Sequence, residues 1–178
     1  MKFFIKILSF IVVIIIVTAI DVAFLPSLGP LFISLNLTLS LALYLMIIVN
    51  REYSLILFVF SAVLAGITGS QLMFTPIIIG VFVLLLIDWL FESFFTNRSY
   101  YTLLALGLIG WFAYYLLFGL VVLSMSAFST GSILPRISLA YIATTFFGAI
   151  FLLLILSSSY IFTTLFSKKF KSYFIIAE

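Results

Sequence analysis

Apolar residues in this chain gather in six runs set apart by short polar, basic or glycine- and proline-marked breaks. The runs cover approximately Phe3–Phe24, Leu31–Val49, Tyr53–Leu64, Ile77–Phe95, Tyr100–Met125 and Ile137–Phe166. A helix that spans a bilayer needs roughly 20 apolar residues, with a working range of about 17–25. Four runs meet that length or come near it. The third is short, and the sixth is long enough to tilt or to continue past the bilayer. The first run follows Lys2 and Lys6, as a signal peptide would, but it exceeds the apolar core of about 7–15 residues that signal peptides carry. It is therefore expected to remain as a first helix. The pattern predicts an all-α integral membrane protein, with residues 1–178 forming a single transmembrane domain of six helices.

The breaks are informative in two places. "LPSLGP", residues 25 to 30, ends the first helix with two prolines and a glycine. "LAGITGSQLMFTP", residues 64 to 76, separates the third and fourth helices. Gly66 and Gly69 each weaken a helix by about 1 kcal/mol, and Pro76 suits a helix start. A third helix that stops near Ile67 has about 15 residues and a length of roughly 22 Å, short of a hydrocarbon core about 30 Å thick. Irregular backbone at that depth persists where protein covers it or a watery cavity reaches it. Gly66, Gly69, Ser70 and Gln71 therefore mark either an outward cavity with Ser70 and Gln71 as its polar lining, or a tight turn between closely packed helices. Ala62 with Gly66, Ala65 with Gly69, and Ala19 with Ala23 have the small-xxx-small spacing that favours helix contact in membranes.

Composition narrows the class further. The chain is 66% hydrophobic and 7% charged, against about a quarter charged in an average soluble domain. Cysteine and histidine are both absent, which removes disulfides, thiol nucleophiles, thiolate or imidazole metal sites and the commonest general base. Five acidic residues, Asp21, Glu52, Asp88, Glu92 and Glu178, are the whole acidic inventory. Asp21 lies toward the outer end of the first helix and Asp88 in the inner half of the fourth, so the two do not form a facing aspartyl pair. No phosphate-cradling glycine loop is present. The sequence therefore predicts no enzyme, no cofactor and no metal. The net charge of +3 comes from scattered basic residues and indicates no nucleic-acid partner.

Those basic residues act as topology signals. With six spans and both termini in the cytoplasm, Lys2, Lys6, Arg51, Arg98, Lys168, Lys169 and Lys171 all lie inside, and Arg136 alone lies outside. Without the third span, Arg98 and the C-terminal lysines would fall outside, so the charges argue that the short run crosses. Trp89, Tyr100 and Tyr101 then fall at the cytoplasmic interface. In "LLLIDWLFESFFTNR", residues 84 to 98, Asp88 and Glu92 stand one helical turn apart on one face. An acid this deep should avoid lipid. The cations on the same side are Arg51, at the inner end of the second helix, and Arg98. These four residues form either an ion-pair network that closes the cytoplasmic end of the bundle or a docking face for a partner.

The stretch "NLTLSLALYLMIIVNREYSLILFVFSAVLAGITGSQLMFTPIII", residues 36 to 79, resembles the rod-shape-determining membrane protein family MreD. The shared features are a polar residue opening the second helix, here Asn36, a basic turn after it, here Arg51, and a small-residue turn, here Thr68-Gly69-Ser70. The basic tail "FSKKFKSYF" fits as well. Where many of that family carry an Asp four residues before the glycine, this chain has Ala65. Tyr114 and Tyr115 stand in the fifth helix where an acidic residue can occur. The resemblance implies a six-helix bundle like the substrate-binding S-components of energy-coupling-factor transporters, placed in the bacterial cytoplasmic membrane. It also implies a non-enzymatic scaffold of the cell-wall elongation machinery that contributes to cell shape. Besides the lipid bilayer, its partners would be MreC-like and MreB-like proteins and the glycan polymerase and transpeptidase. The contrasting reading is a vitamin-type small-molecule binding subunit of a membrane transporter, which would draw on the segment Gly69–Gln71.

Overall fold

The computed structural model describes residues 2–29, 32, 35–67, 74–95, 99–130 and 139–174, with side chains for 7–29, 32, 35–67, 74–95, 99–124 and 143–164. These residues form six helical rods and no strand. α1 runs Lys2–Ala19, widens into a π-helical stretch at Ile20–Phe24 and closes with one turn at Leu25–Ser27. α2 is Leu37–Tyr44 with a π-helical end at Leu45–Val49. α3 is Arg51–Ile67, α4 Phe74–Phe94, α5 Tyr100–Thr130 and α6 Leu139–Phe174. Four stretches are long and apolar enough to cross a membrane: Ile7–Ser27, Phe74–Phe94, Tyr100–Ser124 and Ala143–Thr164.

Local chemistry explains where the rods depart from the apolar runs. The second run is helical only from Leu37, because Asn36 at φ −120°, ψ 88° caps it, its side-chain oxygen accepting from the Leu39 N–H at 2.7 Å. The π-helical stretch in α1 comes just before Pro26, which has no N–H to offer the carbonyl one turn back. The wider turn puts the Leu25 N–H on the Ile20 carbonyl instead. At the other end of α2, the Asn50 N–H bonds the Leu45 carbonyl at 2.9 Å, and Asn50 alone then adopts an extended conformation. Its side chain accepts from the Glu52 N–H at 3.1 Å, so α3 starts at Arg51. Arg51 therefore opens α3; it does not close α2. α3 ends, as described, at Ile67 and is 17 residues long, roughly 25 Å at 1.5 Å per residue.

α2 is the centre of the bundle. It contacts each of the other five rods, and Leu39, Ala42, Leu43 and Ile47 are fully buried. Burial on nearly every side explains why this rod has no single apolar stripe, as expected of a central helix. α1 is its opposite. Ile14, Val17 and Thr18 are buried, while Ile7, Leu8, Ile11, Val12, Ile15 and Ile16 are exposed, an arrangement that lipid tolerates at no cost.

Close approach of the rods depends on four glycines. Gly80 of α4 receives the Phe58 ring of α3, Gly148 of α6 receives the Trp111 ring of α5, and Gly107 of α5 receives Leu156 of α6. At Gly110 a Cβ would meet Leu43 of α2 at 2.8 Å and Ile87 of α4 at 3.2 Å. Of the small-xxx-small pairs, Ala19 with Ala23 holds no such contact, whereas Ala62 packs against the core. Ala19 and Ala23 are exposed on α1, Gly66 is half-buried at the end of α3, and Gly69 lies outside the described residues. Phe58 and Trp111 are fully enclosed, so a methyl group at Gly80 or Gly148 forces a ring out of its place. Gly80→Ala and Gly148→Ala should each destabilise the protein in detergent by about 1–3 kcal/mol, the usual range for overpacking. Ala19→Val and Ala23→Val should leave it unchanged. Thermal unfolding of the four variants checks this.

Candidate functional site

Three groups of polar side chains meet inside the bundle, and each joins different rods. The first lies at the end shared by the start of α3, the close of α4 and the start of α5. Arg51 Nη1 donates to Asp88 Oδ2 at 3.1 Å. The Asp88 side chain is 15% exposed and that of Arg51 is 55% exposed, so the carboxylate is held under a guanidinium that reaches toward solvent. A cation in the first turn of a helix faces the positive end of the helix dipole. Asp88 from the neighbouring rod and Glu52 beside it offset that. Glu92 lies one turn beyond Asp88 and is exposed, together with Trp89, Phe94 and Tyr101. Trp89 and Phe94 meet edge to face at 6.2 Å. Arg98, the other candidate cation, lies outside the described residues, as do Ser70 and Gln71.

The second group sits at the opposite end of α2, and sequence reasoning missed it. Asp21, in the π-helical stretch of α1, accepts the Leu37 N–H on Oδ1 at 2.8 Å and the Thr38 N–H on Oδ2 at 2.7 Å. With Asn36 taking the Leu39 N–H, the free amides of the first turn of α2 are accounted for one by one. The signal was present: an acid inside an apolar run, with no cation on its own side but Arg136, calls for another source of positive charge, and the N-terminus of a helix supplies one.

The third group links α2, α5 and α6. The Tyr44 hydroxyl donates to Thr163 Oγ1 at 2.8 Å, the Tyr100 hydroxyl and Ser157 Oγ lie 2.9 Å apart, and the rings of Tyr100 and Tyr160 are 5.3 Å apart. Two further bonds join other rods: Ser54 Oγ donates to the Ala42 carbonyl at 2.7 Å, and Trp111 Nε1 to the Thr145 carbonyl at 3.3 Å. All these contacts tie one rod to another. Among the described residues no acidic side chains are grouped as a metal ion would require.

Rods bonded to one another, four of them with a stretch long and apolar enough to cross a membrane, are the features of a helical membrane protein. Comparison of the chain with protein-family models, curated proteins and solved structures gives no match, so its function is argued from these residues.

The Arg51–Asp88 pair is covered on one side and open on the other, which sets its expected strength. A double-mutant cycle of Arg51→Gln and Asp88→Asn, read by unfolding in detergent, should give a coupling of about 1 kcal/mol, the upper part of the range for partly exposed pairs. Arg51→Gln alone should cost more than the Arg51→Gln, Asp88→Asn double variant, because it leaves a covered carboxylate unpaired.

Proposed function

We propose that this chain is a non-enzymatic scaffold of the bacterial cytoplasmic membrane, of the MreD type, with six spans and both termini in the cytoplasm. In this reading the rods of α2 and α3 complete the set of crossings, and the bundle has the S-component-like arrangement that the MreD resemblance implies. Its working surface is the cytoplasmic end, where Asp88 and Glu92 stand beside Arg51 and Arg98. Its partners there are membrane and cytoskeletal proteins of wall elongation, of the MreC and MreB kind, with the glycan polymerase and transpeptidase.

The observation that carries the reading is how the polar side chains are divided. Several inside the bundle bond from rod to rod, namely Asp21 to α2, Ser54 to α2, Tyr44 to α6 and Tyr100 to α6. Thr18 bonds its own rod, and the buried Ser61 Oγ has no hydrogen-bond partner among the described residues. Of the charged residues with described side chains, all but Asp21 (Arg51, Glu52, Asp88 and Glu92) gather at one end, with the exposed Trp89, Phe94 and Tyr101 beside them. A rigid body with one decorated end suits docking, in which a few anchored aromatic and charged groups carry most of the binding. A solute carrier would instead converge several polar groups on a central space.

Three experiments test this. A reporter active only outside the cytoplasm should be active when fused after Ser70 or Ser132 and silent after Arg51 or Arg98; activity at Arg98 would break the six-span arrangement. The Asp88→Asn, Glu92→Gln double variant should insert, keep its fold in detergent and lose partner co-purification. If that variant unfolds and Arg51→Gln does the same, the carboxylates are structural. A vitamin-sized molecule retained in native mass spectrometry of the wild type would favour the transporter subunit.

A further inference from the structure

Asp21 and the start of α2 form an arrangement that the docking role does not use. α2 has eight α-helical and five π-helical residues, a length of roughly 18 Å, well short of a hydrocarbon core about 30 Å thick. With its far end fixed at Asn50 and Arg51, its N-terminus must open below the opposite surface of the bundle. There Asp21 meets it with both oxygens on two N–H groups, at 2.8 and 2.7 Å. Thr38 is buried and its side chain is also hydrogen-bonded to the carboxylate. Asn36 and Thr18 are the other polar residues at this end, and both are engaged, Asn36 with the Leu39 N–H and Thr18 with the Ile14 carbonyl.

No cation shares the site among the described residues. Those of α2, α5 and α6 with described side chains include no Lys, Arg, Asp or Glu. The charges of α3, Arg51 and Glu52, lie at its other end, and so do Asp88 and Glu92 of α4. The only other titratable group on α2 is Tyr44, almost two turns further on and bonded to Thr163. The negative charge of Asp21 is thus balanced by two backbone amides and the dipole of α2, and among the described residues those amides bond no other acceptor.

We propose that Asp21 is a charge-operated latch that fixes α2 at its inset depth, and that neutralising the carboxylate releases the first turn of α2 and the buried Leu35 before it. As a carboxylate, Asp21 accepts from both amides. A proton on one oxygen leaves a single good acceptor and weakens attraction to the helix N-terminus, so the latch holds at neutral pH and loosens as pH falls. Asp21→Asn keeps the shape and makes the loosening permanent. The neighbouring Asn36 cap is not titratable and does not change.

The chain has no cysteine, so one introduced thiol reports alone. In the full-length protein in detergent, Leu35→Cys, at a position 5% exposed, is labelled with a thiol reagent at a series of pH values. Each rate is divided by that of Leu28→Cys, at a position 48% exposed, which cancels the pH dependence of the thiol itself. The ratio should be low at neutral pH and rise on acidification. At neutral pH Asp21→Asn should raise it about tenfold, the effect of losing one charge-assisted hydrogen bond on an opening equilibrium, and should remove its pH dependence. A ratio that stays low at every pH in the otherwise wild-type background overturns the latch, and this arm decides the matter even if Asp21→Asn fails to fold. An unchanged pH dependence in Asp21→Asn also overturns it, by assigning the titration to another group.

Discussion

The first turn of a helix leaves amides without partners of their own, and at the start of α2 Asp21 and Asn36 supply the acceptors on which the centre of this bundle depends. The rod is too short to reach both surfaces, yet it is the one every other rod touches. α1 and Asn36 together supply the acceptors. That need explains why α1, which is exposed over most of its length, still carries an acid at Asp21. It also explains why α1 is held at all, since its other contacts are a thin stripe of side chains.

The packing of the remaining rods is governed by shape. In lipid, burying an apolar side chain between helices gains little over leaving it in the acyl chains, so close fit and hydrogen bonding decide association. The large rings of Phe58 and Trp111 are set against Gly80 and Gly148. Leu43, at the centre of α2, fits over Gly110. Hydroxyl groups of Ser54, Tyr44 and Tyr100 add bonds between rods at sites where a missing partner would be expensive. The result is a bundle tied at both ends and close-fitted between them.

Much of this was legible in the amino-acid sequence, and the gaps have definite causes. Run length and hydropathy located the six rods, although α5 runs five residues and α6 eight residues past the end of its apolar run. Charge sign put Arg51 and Asp88 at one end, and the structure has them 3.1 Å apart. The start of α2 was misplaced by six residues, because Leu31–Leu35 is as apolar as the helix after it and only the capping chemistry of Asn36 marks the boundary. The pair Ala19 and Ala23 pointed to a contact that α1 does not make: small-residue spacing shows where a helix could be approached closely, and only the position of a matching ring on another rod shows where it is. Asp21 was overlooked for the same reason. Its partners are backbone amides sixteen and seventeen residues away, and a backbone amide has no letter in the sequence.

That sixteen-residue separation bears on how the chain is made. Synthesis runs from α1 to α2, so Asp21 emerges from the ribosome ahead of the amides that neutralise it. Until Leu37 and Thr38 emerge, α1 is a hydrophobic segment with an uncompensated charge near one end. α2 cannot settle alone either, being short and ending at a single-residue joint, Asn50, that hands the chain directly to α3. The first three rods therefore depend on one another for a stable position, and the natural unit of membrane integration at the start of this protein is the triplet, with α1 retained near the insertion machinery until α3 has emerged.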